Sequence, residues 1–149
     1  MELTHRVLPE DLNLLNAKVK IHNSGRGLMQ PSALRIDLYR VLPLSDESRR
    51  LLAERRSLLD GKGFEAEWPC LESRERLWEE DAFDIEPGES DECLFDFFLA
   101  GDIETVFIYA YVDNQKKRKR FKARELGWSL TAFHDLVHRS STASVVAQG

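Results

Sequence analysis

Seven of the nine positions from 116 to 124 are cations: Lys116, Lys117, Arg118, Lys119, Arg120, Lys122 and Arg124. Such a run can hold phosphate. Arginine offers a planar fork of donors that grips an anion through two parallel bonds, and lysine offers a mobile point charge. Arg118 and Arg120 are therefore the first candidates for phosphate contacts, with Lys116, Lys117 and Lys119 behind them. Tyr109 and Tyr111, just upstream, are placed to stack on a ring attached to that phosphate. The ordinary reading of the same run is a solvated hairpin tip, or cations that face the chain's own acids.

Those acids are concentrated as well. Between Glu65 and Glu104 stand 15 acidic residues against two basic ones, Arg74 and Arg76. A partner for this stretch would be basic, and a second copy's cationic run would qualify, so charge matching between copies is a further expectation. Asp81, Asp84, Glu86 and Asp91 are oxygen ligands of the type calcium takes, but their spacing is not that of a calcium loop.

Other groups carry less chemistry. His134 and His138 stand four apart, a zinc-ligand spacing on a helix, with neither the glutamate nor the third ligand of a zinc protease. His5 and His22 can lie on adjacent strands, with no nucleophile beside them. Cys70 and Cys93 are too few for a disulfide framework, and Cys93, inside an apolar run, reads as a small buried hydrophobe. Of the tryptophans, Trp128 reads as sheet-face packing. Trp78, amid Arg76-Leu77-Trp78-Glu79-Glu80, reads as the more exposed, and Trp68 is a further stacking candidate. No nucleophile elbow, phosphate-cradling glycine loop or cysteine–histidine zinc pattern occurs. No catalytic residue, cofactor or metal is assigned; the reading is a binding module and not an enzyme.

The elements that must position these groups are mostly strands. Leu15, Ala17, Val19 and Ile21 alternate with polar residues, as do Leu34, Ile36 and Leu38. A first strand covers 3–8. Residues 64–68 alternate again, and 71–78 are mixed and highly charged. Cys93, Phe95, Phe97 and Leu99 share one face, followed after Gly101-Asp102 by Val106, Ile108, Ala110 and Val112; this pair reads as the central hairpin. A last strand opens near Gly127 with Trp128, Leu130 and Ala132. Pro87-Gly88 marks a turn, with proline presetting one φ and glycine accepting a positive one. Only about 45–59 changes to a helical stripe, capped by Ser45 or Asp46 and closed by Gly61. The expectation is an all-β antiparallel sandwich of seven to eight strands with one inserted α-helix, in a single domain over 1–138 with a flexible tail at 139–149.

The 149 residues suit one core, and a net charge of −5 disfavours general nucleic-acid binding. No stretch has the roughly 18 to 20 apolar residues that span a bilayer, and the first residues lack a signal-peptide core. A cytoplasmic protein is expected, or one held at a membrane by an upstream anchor.

Two stretches resemble immunoglobulin-like sandwich domains of bacterial and archaeal proteins. One is Ala17-Lys18-Val19-Lys20-Ile21-His22-Asn23-Ser24-Gly25; the other is Ile85-Glu86-Pro87-Gly88-Glu89-Ser90, which feeds a phenylalanine-rich strand. The order, with Val41-Leu42-Pro43 before the helix and Gly127-Trp128 opening the last strand, is similar to uncharacterised bacterial β-sandwich domains carried behind transmembrane helices. That resemblance implies an immunoglobulin-like fold. Some membrane proteins of this layout in phage-defence systems are thought to bind cyclic nucleotides, so the resemblance implies a sensory module for a nucleotide second messenger. A protein–protein or self-assembling domain is the alternative.

Overall fold

The computed structural model describes residues 1–56, 68–79, 83–114 and 127–136. Seven antiparallel strands form two sheets. β1 (Glu2–Leu8), β2 (Leu12–His22) and β5 (Ser90–Ala100) make one, in the order β1-β2-β5. β3 (Ala33–Leu42), β4 (Cys70–Leu77), β6 (Thr105–Asp113) and β7 (Gly127–Asp135) make the other, in the order β4-β3-β6-β7. The single helix, α1 (Asp46–Arg56), follows β3. Ser45 caps it, its Oγ accepting from the Ser48 amide at 3.1 Å, and Asp46 and Glu47 lie in the first turn, where the helix dipole favours negative charge.

The alternation read from the sequence becomes the core. Leu15, Ala17, Val19 and Ile21 on β2 and Cys93, Phe95, Phe97 and Leu99 on β5 face Leu34, Ile36 and Leu38 on β3 and Val106, Ile108, Ala110 and Val112 on β6. All are buried, and Phe97 is the largest fully enclosed side chain. The sandwich follows from period two: one face of each strand must leave water, and two sheets hide both faces at once.

Two readings of the strands require correction. Cys93–Leu99 and Val106–Val112 are not a hairpin. β5 pairs with β2 in full register, from Leu12 opposite Ala100 to His22 opposite Ser90, whereas β6 pairs with β3 and β7. The turn at Gly101-Asp102 therefore carries the chain from one sheet to the other. The charged stretch 71–78 is largely strand β4, paired with β3. Its charges hid it because β4 is an edge: Arg74 and Arg76, opposite the buried Ile36 and Leu34, point inward. The Arg74 guanidinium lies 5.2 Å over the Phe97 ring, and Arg76 lies 5.6 Å over Trp78. Their aliphatic stems cover the core while inward charge blunts an open edge.

The described part of the helix runs to Arg56. The reading of 57–59 as helix, of Gly61 as its terminator and of 64–67 as strand lies outside the described residues, as does the tail 139–149. No helix among the described residues is long and apolar enough to cross a membrane.

Candidate functional site

Topology gathers three connections at one end of the sandwich. β2–β3 (residues 23–32), β4–β5 (78–89) and β6–β7 (114–126) all leave the same end, because each joins a strand running toward it to one running away. The acidic stretch that includes Glu79, Asp84, Glu86 and Glu89 is therefore rooted beside the cationic run. Lys116, Lys117, Arg118, Lys119 and Arg120 themselves lie outside the described residues, with Lys122 and Arg124. Their anchors do not: Asp113, at the end of β6, is the cross-strand partner of Gly127, the start of β7.

Asn23 builds the framework of this end. It is 5% exposed. Its Nδ2 donates to the carbonyls of Gly27 and Ile85, both at 2.8 Å, and its Oδ1 accepts from the Gly25 amide at 3.0 Å. Its backbone N–H donates to Glu89 O and its carbonyl accepts from Gly88 N–H. Met29 and Ile85 exchange a reciprocal pair of backbone bonds beside it. Gly88 has φ of +88°, and the Glu89 amide donates to Glu86 O at 3.0 Å, the turn that Pro87-Gly88 dictates.

Beside this framework opens a cleft of about 400 Å³, lined by His22, Asn23, Arg26, Met29, Asn114 and Trp128 among others. It continues down the side of the sandwich as a second hollow of about 370 Å³ against Val19, Ile21, Val112 and Leu130. β1 pairs β2 from Glu2 opposite Lys18 to Leu8 opposite Leu12, and among the described strands none pairs with the β1 side of β2 from Val19 to His22. Trp128, 42% exposed on the inward face of β7, fills part of the opening. The sequence assigned Trp128 to sheet-face packing and Trp78 to the surface. Trp128 does lie on the sheet face but is the more exposed of the two, and the reading of Trp78 is overturned. Trp78 is half-buried against the core, stacked on Phe83 at 4.6 Å between centroids.

The predicted tyrosines face elsewhere. Tyr109 and Tyr111, both half-buried, lie on the outer face of the four-stranded sheet, opposite Asp37 and Arg35 on β3. Tyr111 belongs to the end where the cationic connection is rooted: a Cβ on Gly127 would come within 2.5 Å of its hydroxyl. On the same face Asp37, 3% exposed, accepts from Arg35 Nε at 2.9 Å and from Ser73 Oγ. Tyr39, Phe107 and Phe133 form a tilted aromatic row there. Burial, then the Asp37 charge, pushes the Tyr39 hydroxyl pKa upward.

The chain matches no family model, no curated protein and no solved structure.

One pair of histidines, His5 and His134, meets across the two sheets. His5 faces the core side of β1 and its Nδ1 lies 2.9 Å from Nε2 of His134 on β7, the rings meeting edge to face. This contact closes the seam below the cleft. Burial, then His5, holds the His134 pKa below the usual imidazole range, while Asp135 opposes the shift. His22 is on the outer face of β2, next to Ser90, well away from His5. His138 lies outside the described residues.

Both cysteines are free thiols, Cys70 exposed and Cys93 buried. Burial raises the Cys93 pKa, which disfavours the reactive thiolate. Among the described residues no group of three or more histidine, cysteine or carboxylate side chains is placed to hold a metal ion. Asp81, of the proposed calcium set, lies outside them, and Asp84 accepts from Gln30 at 2.8 Å.

Proposed function

We propose that this domain is a non-catalytic recognition module of immunoglobulin-like type whose binding surface is the loop end, and that it takes a small phosphorylated ligand such as a nucleotide. The observation that carries this reading is the cleft of about 400 Å³ at the root of the cationic connection. Its size suits a small ligand. Trp128 offers a ring face, and Arg26 and His22 line the rim. Residues 115–126, which include seven cations, join Asn114 in the lining of the cleft to Gly127, the neighbour of Trp128. The tyrosines serve this reading less well than Trp128. Tyr109 is on the outer sheet face, and the stacking role passes to Trp128.

Calorimetry of the whole chain against a panel of mono- and dinucleotides tests it. The double variant Arg118→Ala, Arg120→Ala is expected to weaken binding by about tenfold to a hundredfold per lost charge-assisted contact, roughly 1.5 to 3 kcal/mol each. No binding by the wild type, or equal binding by both proteins, returns the cationic run to a solvated loop.

A second reading, self-association, is favoured by a different face. β5 is an edge strand whose outward Leu94 and Phe98 are 72% and 63% exposed. Charge matching between copies supports it less, since the acidic and basic connections are rooted at one end of the same molecule. Light scattering at rising concentration separates the readings, and a strict monomer sinks the second.

A further inference from the structure

We infer that the open edge of β5 pairs antiparallel with β5 of a second copy about a two-fold axis at Phe95, joining two three-stranded sheets into one continuous sheet. The inference rests on the second reading above, self-association, and requires no ligand in the cleft.

β5 is an edge without a guard. Among the described strands it pairs with β2 alone, over eleven residues and with no break in register. An uncovered row of N–H and C=O groups captures another strand, so soluble proteins blunt such edges with inward charge, lysine, proline or a bulge. β4, the edge of the other sheet on this side, carries the inward Arg74 and Arg76. From Glu92 to Ala100, β5 carries none of these devices: its only charges, Glu92 and Asp96, lie on the outward face. Leu94 and Phe98 alternate with them, 72% and 63% exposed.

The charge pattern identifies the occupant. Centred on Phe95, the midpoint of the strand, self-pairing uses all eleven residues, with Ser90 opposite Ala100. On the outward face Leu94 then faces Asp96 of the other copy, and Glu92 faces Phe98, each contact occurring twice by symmetry. No acid meets an acid on that face. Diagonal neighbours on paired strands are within reach of long side chains, so Leu94 and Phe98 of both copies come together as one apolar cluster across the axis. Moving the axis by one residue destroys this match. On Leu94 it sets Glu92 against Asp96; on Asp96 it sets that carboxylate against its own symmetry mate, and like charges directly opposite oppose pairing. A foreign strand must supply an equivalent pattern, whereas this chain already contains it.

The test changes the sign of one charge at one exposed position. Leu94→Lys and Leu94→Glu both delete the leucine, but only lysine meets Asp96 of the other copy as an opposite charge. In sedimentation equilibrium at low salt the wild-type chain is expected to dimerise. Leu94→Lys is expected to dimerise at least about tenfold more tightly than Leu94→Glu, since the altered pair occurs twice, and the gap is expected to close as salt rises. Position 94 is 72% exposed, so both variants are expected to melt with the wild type when dilute. The same contrast at Phe98, which faces Glu92, serves should either variant melt lower. A wild-type dimer whose lysine variant is no tighter than its glutamate variant overturns this register and leaves self-association standing. A wild-type monomer at millimolar concentration overturns both.

Discussion

Asn23→Ala offers the most direct measure of what holds the loop end together. The change deletes three side-chain hydrogen bonds, to Gly27 O, Ile85 O and Gly25 N–H, from a site that is 5% exposed. The backbone bonds to Glu89 and Gly88 remain, and Ile85 O keeps its bond from Met29 N–H, whereas Gly27 O loses its donor on an exposed residue, where water can replace it. At about 1 kcal/mol net per bond the loss is expected near 3 kcal/mol. For a chain of this length that lowers the melting temperature by roughly 6 to 12 °C. Urea unfolding followed by tryptophan fluorescence measures it, with an unchanged m value showing that the loss is in stability and not in compactness. A loss under about 1 kcal/mol would refute the role of Asn23 as the hub. Asn23→Asp is expected to give a pH-dependent counterpart. It keeps the acceptor for Gly25 but turns a carboxylate toward two carbonyls, so its folded pKa rises above the unfolded value of about 4. Its extra penalty is therefore absent below that pH and grows as pH rises.

Three further outcomes are expected. His134 has a depressed folded pKa, so the unfolded chain binds more protons, and stability falls as pH drops through and below about 6.5; His134→Gln flattens that slope in pH-dependent melting. Gly127→Ala places a methyl group against the Val112 carbonyl and the Tyr111 ring, and a loss of about 1 to 3 kcal/mol in chemical denaturation is expected; a neutral result would show that the β6–β7 register can shift at no cost. Glu10 holds φ of +64° in the β1–β2 turn, which glycine adopts without a Cβ clash, so Glu10→Gly is expected to raise stability by up to about 1 kcal/mol, and a lower melting temperature would refute the strain.

Much of this fold was legible in the residues. The period-two runs of β2, β3, β5, β6 and β7, the Ser45 cap and the Pro87-Gly88 turn all stand where local chemistry puts them, because burial of alternate side chains and the φ of proline and glycine are decided within a few residues. The burial of Cys93 was legible for the same reason. β4 was not read as a strand: its inward positions are Arg74 and Arg76, and only a neighbouring sheet that presents the faces of Phe97 and Trp78 makes arginine acceptable there.

Pairing was beyond the sequence altogether. Whether β5 turns back on β6 or crosses to the other sheet depends on which strand offers the longer apolar register, and β2 does, over eleven residues. The His5–His134 contact spans 129 positions, and the hollow brings Val19 and Ile21 of β2 together with Trp128 of β7. Side-chain type and spacing thus determined the strands, their buried faces and their turns, since these follow from contacts between near neighbours and water. Only the tertiary structure decided which charges share an end and which tryptophan meets solvent, because each depends on a partner supplied from a distant part of the chain.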